Sequence, residues 1–339
     1  MLGAIRRASL LLVALTAVSH TSAEGFTPCC KPAGDYLEAE SRIAQQQRTD
    51  DSVAIPGARS IFLTHNRRTR WAVVLLHGFG NSPRQFGGLA DSLYAHGFNV
   101  WVPRMPHHGE KRGAGMLSRV TAEELRKNAE AATDIGVGIG DSVVVLGFSM
   151  GGVAAAWIAQ SRTDVQRVVI VSPALALAHI PLSLTRPLVS VMLRLPDVRR
   201  GVMRDPTRSD RELGWSTHAV AQILRFGFAV QQAAHNSGPS VRDIRVLVNA
   251  HDHTVNAAAA VALAACWAAA GAHVSVYQLP DSLKLPHDVI DATEPGARPA
   301  VVQPIVEGLV DDISPPRWVM RINTGVDAGV GAGLPVGCI

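Results

Sequence analysis

The sequence predicts an α/β protein whose central sheet is mostly parallel and flanked by helices. Apolar runs rich in β-branched residues alternate with segments at helical spacing, which is typical of βαβ units. The runs are almost continuously apolar, as expected when both faces of a parallel sheet are buried. The 339 residues are 47% hydrophobic but only 5% aromatic, which suits this class better than an all-β sandwich.

Six apolar runs are predicted to be strands, at 71–76, 99–102, 142–146, 165–171, 244–249 and 274–279. Helices are predicted between them from end signals and apolar spacing. Ser82 and Pro83 fit the N-cap and the first helical position, and Gln85 fits the closing residue of a capping box. Thr121 and Glu124 form a second capping box. Two further helices are predicted, at 150–160 and 254–270.

One folded domain is predicted over residues 51–313. The polar residues 24–50 are expected to form an irregular lead-in, and 52–63 a β-hairpin. The alternation of strands and helices stops over 175–242, which contains no clear strand. This stretch is predicted to be a small, mainly helical insertion over the sheet edge where a ligand binds. The Pro- and Gly-rich residues 314–339 are expected to form a flexible tail.

Residues 1–23 are predicted to be a secretory signal peptide. Arg6 and Arg7 precede an apolar run at 10–18, and small residues follow it at 21–23. The protein is therefore expected to be secreted or periplasmic. The alternative is an uncleaved N-terminal membrane anchor, although the apolar run is short for a membrane span.

Charge and cysteine content argue against several classes of protein. The net charge is only +4 and there is no long basic block, which disfavours nucleic-acid binding. No Cys/His cluster indicates a metal site, and no cofactor is implied. Cys266 lies in a predicted Ala-rich helix and is expected to be a buried free thiol. Cys29 and Cys30 lie near one end of the chain and Cys338 near the other, so a disulfide between the two ends is predicted.

Ser149 is the residue most indicative of function. It is the centre of the pentapeptide GFSMG, directly between a predicted strand and a predicted helix, which is the setting of a nucleophile elbow. In so tight a turn, glycines remove side chains that would collide. The hydroxyl is then expected at the carboxyl ends of the strands, where parallel sheets bind ligands. An ordinary glycine-rich turn is the alternative, and the flanking strand and helix argue against it.

A serine nucleophile needs a base to take its proton and an acid to orient the base. Asp252 follows the strand predicted at 244–249, and His287 lies in the loop after the next strand. Both loops are expected at the sheet edge that carries the serine, and the chain order Ser, Asp, His is one that such sites use. His251 and His253 flank Asp252 and are too local to reach across to Ser149 if Asp252 is the acid, so they are expected to line the loop or lie on the surface.

Two backbone amides are candidates for an oxyanion hole. One belongs to Met150, directly after the nucleophile, and the other to Phe79 in the HGFG loop after the first strand. His77 of that loop is expected to hold it in place. Phe148, beside the serine, and His108, in the segment PRMPHHG after the second strand, are predicted to border the substrate. For that segment a plain loop is an equal alternative.

Together these motifs resemble those of the α/β-hydrolase superfamily, within its group of serine esterases, lipases and thioesterases. The resemblance covers about residues 70–312 and rests on HGFG, P-x-x-P-x-H-G, GFSMGG, D-x-x-V and a final histidine. It implies the α/β-hydrolase fold and a hydrolase acting through an acyl-serine intermediate. Ser149, Asp252 and His287 would then form its catalytic triad.

By the same resemblance, the insertion at 175–242 corresponds to the family's cap. Its apolar residues, among them Leu188 and Met192, are predicted to bind an acyl chain or to meet a lipid surface, with packing on the core as the alternative. The expected substrate is a small acyl ester. A thioesterase or an acyltransferase would use the same residues, and a non-catalytic binding protein is the remaining alternative. Departures at 250–251 and at His107 leave the details of the pocket open.

Overall fold

The computed structural model describes residues 26–205 and 210–324 of the chain. The predicted signal peptide therefore lies outside the described residues. Within them the chain forms an eight-stranded sheet with helices on both faces, which confirms the predicted α/β class. None of the described helices is both long enough and apolar enough to cross a membrane.

The eight strands of the sheet are β1 (Ile61–Leu63), β2 (Thr69–Leu76), β3 (Asn99–Val102), β4 (Gly140–Phe148), β5 (Arg167–Val171), β8 (Asp243–Asn249), β9 (His273–Leu279) and β10 (Met320–Ile322). Their spatial order is β1-β3-β2-β4-β5-β8-β9-β10. The six inner strands are parallel and correspond to the six predicted ones, whereas β1 and β10 pair antiparallel at the two edges. The carboxyl ends of the inner strands therefore share one edge of the sheet.

The helices are α1 (Tyr36–Val53), α2 (Gly87–Ala95), α3 (Ala122–Ile139), α4 (Met150–Ser161), α5 (Leu182–Arg194), α6 (Thr217–Asn236), α7 (Ala257–Ala269) and α8 (Pro299–Asp311). They cover the sheet in two layers. Residues of α1, α3, α4, α6 and α7 pack on one face, and residues of α2 and α8 pack on the other. Strand β2 shows the alternation: Ala72, Val74 and Leu76 belong to the first layer's core and Val73 and Leu75 to the second's.

The lead-in segment differs from its prediction. Residues 24–50 were expected to be irregular, but a helix starts at Tyr36, with the Asp35 carboxylate accepting a hydrogen bond from the Glu38 amide at 2.8 Å. The helix escapes detection because it buries few apolar side chains. One of its buried residues is Asp50, whose carboxylate accepts a hydrogen bond from Arg104 Nε at 2.9 Å.

The other segments outside the inner strands also differ from prediction. The hairpin expected at 52–63 is absent: the end of α1, a 3₁₀ turn at Pro56–Ala58 and β1 occupy it. The tail expected to be flexible from 314 adds strand β10 to the sheet edge, and residues 325–339 lie outside the described part. Cys266 is buried and disulfide-bonded rather than a free thiol. Cys29 and Cys30 are exposed free thiols, so neither ties the chain ends together.

The cap, defined here as residues 175–242, contains α5, α6 and a two-stranded hairpin of β6 (Arg199–Arg204) and β7 (Glu212–Ser216). It is mainly helical as predicted, but the hairpin was not foreseen. Most residues of the hairpin are exposed or partly exposed, and β6 has a bulge where the register shifts. Strands outside a core need no apolar run, so the hydrophobic pattern gives no signal for them.

Candidate active site

The turn at Ser149 has the geometry of a nucleophile elbow. Ser149 has φ 54° and ψ −111°, a conformation that is strained for a residue with a side chain. The Ser149 N–H donates to the Val171 carbonyl at 3.0 Å, which holds the turn against β5. A Cβ on Gly147 would lie 1.9 Å from the Gly151 oxygen, and one on Gly151 would lie 1.9 Å from the Leu76 oxygen. Both flanking glycines are therefore sterically required.

The structure brings the three predicted triad residues together. His287 Nε2 lies 2.9 Å from Ser149 Oγ, and His287 Nδ1 lies 2.7 Å from Asp252 Oδ2. Because the Asp252 carboxylate accepts from Nδ1–H, Nε2 is left unprotonated and can accept the serine proton. The Phe148 ring lies 5.0 Å from the imidazole, centroid to centroid, and covers one side of it.

The Asp252 carboxylate is held in its ionised form and in one orientation. Its second oxygen, Oδ1, accepts hydrogen bonds from the Thr254 and Val255 amides at 2.8 and 2.9 Å. Burial alone would raise the pKa of Asp252, but the hydrogen bond and charge of His287 and these two amides together lower the pKa below its ordinary value. Asp252 is therefore an anion at neutral pH, as an orienting acid must be.

Asn249, a residue that sequence reasoning missed, joins the acid loop to the histidine loop. It lies buried at the end of β8, and its Nδ2 donates to the Leu285 and Pro286 carbonyls at 3.1 and 3.0 Å, directly before His287. Its Oδ1 accepts from the His251 amide at 3.0 Å, directly before Asp252. The available signal for this residue was an asparagine at the end of a predicted strand, three residues before the predicted acid.

The proposed oxyanion amides lie beside the nucleophile. Met150 begins α4, and the first amides of a helix have no intrahelical acceptor. Gly78, directly before Phe79, is close enough that a Cβ there would lie 2.9 Å from the Phe148 ring and 3.5 Å from Ser149 Cβ. Within the described part of the chain, the Phe79 amide has no hydrogen-bond acceptor. Both amides are therefore available to an incoming oxygen.

His77 orients the peptide unit that carries the Phe79 amide. Its Nδ1 lies 2.9 Å from the Gly78 oxygen, and its Nε2 accepts a hydrogen bond from the Met105 amide at 3.0 Å. Since the Gly78 carbonyl and the Phe79 N–H belong to one planar peptide unit, fixing the oxygen also fixes the N–H on the opposite side. His77 thus holds the HGFG loop, as the sequence predicts.

A family profile described as "Serine aminopeptidase, S33" matches residues 67–278. The chain is a member of this family, an α/β-hydrolase. Among curated proteins, none matches its sequence significantly.

Solved structures of low sequence identity share the fold of this α/β-hydrolase. One reported for two metagenome-derived lipolytic enzymes, LipS and LipT, is 17% identical with a TM-score of 0.58, over 76% of this chain and 99% of the other. A monoacylglycerol lipase from Paleococcus ferrophilus is 20% identical with a TM-score of 0.55, over 74% and 98%. A soluble variant of a Saccharomyces cerevisiae monoglyceride lipase is 14% identical with a TM-score of 0.53, over 76% and 92%.

Of the four residues predicted to contact substrate in this α/β-hydrolase, two are buried near the triad and two lie on α5 of the cap. His108 is fully buried, and its ring packs against those of His77 and Phe79 at 5.1 and 5.5 Å, so it supports the HGFG loop, called the oxyanion loop from here on. Phe148 is buried beside the imidazole. Leu188 is half-buried, and Met192 packs against the small cluster formed by α5 and α6.

An apolar cavity of about 680 Å³ lies between α5, α6 and α7. Its lining includes Leu175 and Ala176, directly after Ala174, whose amide donates to the Ser149 carbonyl at 3.1 Å. From α5 the lining takes the beginning of the helix, including Leu182, and not Leu188 or Met192. None of the triad residues lines the cavity. The cavity is therefore connected to the nucleophile through the segment 174–176 and is not lined by its hydroxyl.

Glu212 of the cap contacts both loops around the site, and sequence reasoning missed it as well. Its backbone N–H donates to the Gly80 oxygen at 2.6 Å, and its carboxylate accepts from the Gly109 amide at 3.2 Å. Gly80 has φ 77°, and a Cβ there would lie 2.5 Å from the Glu212 oxygen. The cap of this hydrolase is therefore in direct contact with the oxyanion loop. Glu212 lies in the unpredicted hairpin, so the sequence offered no signal for it.

Buried histidines are expected to make this hydrolase acid-sensitive. Burial lowers the pKa of His77 to about 4 and the pKa of His108 well below its ordinary value of 6.5. Between these values the unfolded chain binds protons that the folded state does not, so stability should fall as pH drops below about 6.5. For His77 alone the loss should approach about 3 kcal/mol near pH 4.

Urea unfolding at pH 7.5, 6 and 5 measures this pH dependence. His108→Asn should remove the contribution of His108 and leave that of His77, so the dependence should become shallower, whereas His235→Gln, at an exposed position in α6, should leave it unchanged. A wild-type unfolding free energy that is constant from pH 7.5 to 5 would contradict the expectation.

Proposed function

We propose that the protein is a serine hydrolase that cleaves carboxylic esters through an acyl-serine intermediate. The observation that carries the proposal is the continuous chain of contacts from Ser149 Oγ through His287 to Asp252, beside the amides of Phe79 and Met150. An unactivated serine is a poor nucleophile, and this arrangement supplies the base, its orienting acid and the oxyanion donors.

The proposed reaction has two halves with one proton relay. His287 Nε2 takes the Ser149 proton as Oγ attacks the ester carbonyl, and the amides of Phe79 and Met150 hold the resulting oxyanion. The imidazolium, stabilised by ionised Asp252, then gives the proton to the leaving alcohol, and the acyl-serine remains. Water, deprotonated by the same His287, attacks the acyl-serine, and the carboxylic acid leaves as the proton returns to Oγ.

The substrate we propose is an ester of an apolar, lipid-like acyl group. The cavity between α5, α6 and α7, whose lining begins one residue after Ala174, is lined mostly by apolar side chains, such as Leu175, Phe228 and Leu263. Such a cavity favours an alkyl chain over a charged group. The lipases and esterase-type enzymes with the same fold agree with this choice. A thioesterase or an acyltransferase would use the same triad and differ only in the leaving group or the acceptor.

The first test is hydrolysis of nitrophenyl esters from acetyl to palmitoyl, with acyl thioesters and aminoacyl nitroanilides in parallel. We expect turnover of the oxygen esters with a preference for medium or long acyl chains. A fluorophosphonate probe should label the protein, and peptide mapping should place the label on Ser149. Folded protein that neither hydrolyses any ester nor reacts with the probe would favour a non-catalytic binding protein.

We also propose that the cap meets a lipid surface. Large apolar side chains on α5, directly after it and on the hairpin are 41–57% exposed: Leu182, Leu184, Val191, Leu195, Met203 and Trp215. Exposed arginines lie among them, such as Arg194, Arg199 and Arg200. Exposed apolar groups beside cations match an anionic bilayer interface.

Co-sedimentation with lipid vesicles tests this surface. We expect binding to vesicles that contain anionic lipid, weaker binding to neutral vesicles, and loss of binding in the double variant Leu184→Asp, Val191→Asp. Leu37→Asp, at a 72% exposed position on α1, should bind like the wild type. Equal sedimentation with and without vesicles would exclude the lipid contact.

A further inference from the structure

Gln85 connects the two loops on which the proposed chemistry depends. It lies buried in the 3₁₀ turn Pro83–Phe86, where it does not close the predicted capping box. Its Oε1 accepts a hydrogen bond from the Gly78 amide at 2.8 Å, and its Nε2 donates to Asp288 Oδ2 at 2.6 Å. Gly78 directly precedes Phe79 of the oxyanion loop, and Asp288 directly follows His287. One side chain therefore joins the oxyanion loop to the residue that follows the base.

We infer that Gln85 is a positioning residue that sets the distance between the Phe79 amide and the imidazole of His287. The inference rests on the proposed function, because it concerns the geometry of that same site. Gln85 does not touch the reacting atoms. It acts through Gly78 on one side and through Asp288 on the other.

Each end of this bridge is held within its own loop by further contacts, so a shift of either end should move that loop as a unit. The Asp288 carboxylate also accepts from the Ile290 and Asp291 amides at 3.1 and 2.9 Å, which closes a tight turn after His287. Asn81 adds a second link between the same two loops, since its Nδ2 donates to Asp288 at 3.1 Å and its N–H donates to the Gly78 oxygen at 3.3 Å. On the other side, the Gly78 oxygen is held by His77. A displacement of the Gln85 side chain would therefore move one loop relative to the other.

Glutamine is the side chain that the two partners require. The Gly78 N–H needs an acceptor and the Asp288 carboxylate needs a donor, and only an amide side chain of this length offers both at its end. A glutamate at 85 could accept from Gly78 but would place a second carboxylate against Asp288. A methionine would fill similar space and serve neither partner.

The expected effect is on kcat rather than on substrate binding, because the oxyanion forms only during reaction. Misplacement of a catalytic group by about 1 Å can cost up to 100-fold in rate, and removal of an oxyanion donor costs about 100- to 1,000-fold. For Gln85→Met we expect a 10- to 100-fold lower kcat on nitrophenyl esters with KM nearly unchanged.

Gln160 offers a matched control. It is also a buried glutamine with both ends bonded: Oε1 accepts from Trp267 Nε1 at 2.8 Å, and Nε2 donates to the Ser237 and Gly238 carbonyls at 3.1 Å. It lies near the far end of α4, away from the triad. Gln160→Met should lower the unfolding midpoint comparably while keeping the wild-type kcat. Equal kcat losses in the two variants would overturn the inference.

A reciprocal exchange tests the bridge itself. Gln85→Glu alone should lower kcat through repulsion at Asp288. The double variant Gln85→Glu, Asp288→Asn places an acceptor toward Gly78 and a donor on residue 288, although Asn81 Nδ2 then loses its acceptor at residue 288. It should therefore recover part of the kcat lost in Gln85→Glu. Independent, additive losses in the two single changes would contradict a direct bridge.

Amide hydrogen exchange keeps this test separate from the test of function. Gln85→Met should accelerate exchange in the peptides covering both 77–81 and 287–291, whereas Gln160→Met should accelerate neither. If the wild type hydrolyses esters but only one of these segments responds, the bridge is wrong and the proposed function stands. If no ester is hydrolysed but both segments respond, the coupling of the loops stands and the function fails.

Discussion

Replacement of Ser149 by alanine is expected to lower kcat for ester hydrolysis by about 10⁶-fold. In the proposed mechanism the Ser149 hydroxyl attacks the ester carbonyl, and His287 Nε2, which lies 2.9 Å from it, takes its proton. Residual rate should come only from the oxyanion amides and from substrate binding, which survive the change. Steady-state kinetics on the preferred nitrophenyl ester, with active-site titration by a fluorophosphonate, measures the loss.

A fold defect would mimic this result, so the variant needs a control on the same helix. Ser161 lies at the opposite end of α4, where its hydroxyl donates to the Trp157 carbonyl at 2.8 Å. Ser161→Ala should retain full activity, and Ser149→Ala should unfold at or above the wild-type midpoint, because alanine removes no backbone contact of the elbow. Ester hydrolysis by Ser149→Ala at more than a trace of the wild-type rate would refute the proposed nucleophile.

The arrangement of the triad was predictable because parallel strands end at one edge. Once GFSMG is placed between a strand and a helix, the loops after later strands must approach the same edge, and Asp252 and His287 lie in those loops. The prediction needed only the order of strands and the residue types. It did not need side-chain packing.

The residues that hold the site could not be predicted in the same way. Asn249, Gln85 and Glu212 act through hydrogen bonds to other loops, at sequence separations of 36 residues for Leu285, 203 for Asp288 and 132 for Gly80. Nothing in apolar periodicity encodes such a pairing. Their partners become evident only when the loops are placed in three dimensions.

The lead-in helix was missed for a related physical reason. Asp50 is fully buried and Arg104 nearly so, and the pair holds α1 against the PRMPHHG segment, where Arg104 Nη1 also donates to the His108 carbonyl at 3.0 Å. Sequence patterns assign charged residues to the surface, since burial of an unpaired charge is costly. The partner of Asp50 lies 54 residues away, so the sequence alone does not show that this charge is paired. The segment that carries it is therefore predicted to be solvent-exposed and irregular.

Replacement of Asp252 by asparagine is expected to lower kcat by about 10⁴-fold with little change in the fold. Because the Thr254 and Val255 amides donate to Oδ1, the carbonyl oxygen of the new amide should remain on that side. Its NH₂ group would then face His287 Nδ1. The imidazole must accept that hydrogen bond at Nδ1 and carry its proton on Nε2, so it can no longer accept the Ser149 proton.

The rate of Asp252→Asn should also respond differently to pH. In the proposed mechanism the ionised carboxylate stabilises the imidazolium that forms during reaction, and the variant would lack that stabilisation. We expect residual activity to rise steeply toward alkaline pH, where hydroxide can replace the missing base. Asp281→Asn is the matched control: its carboxylate also accepts from a histidine, His251 Nδ1 at 2.8 Å, but outside the triad, so kcat should be unchanged. Wild-type kcat in Asp252→Asn, or an equal loss in Asp281→Asn, would show that Asp252 does not orient the base.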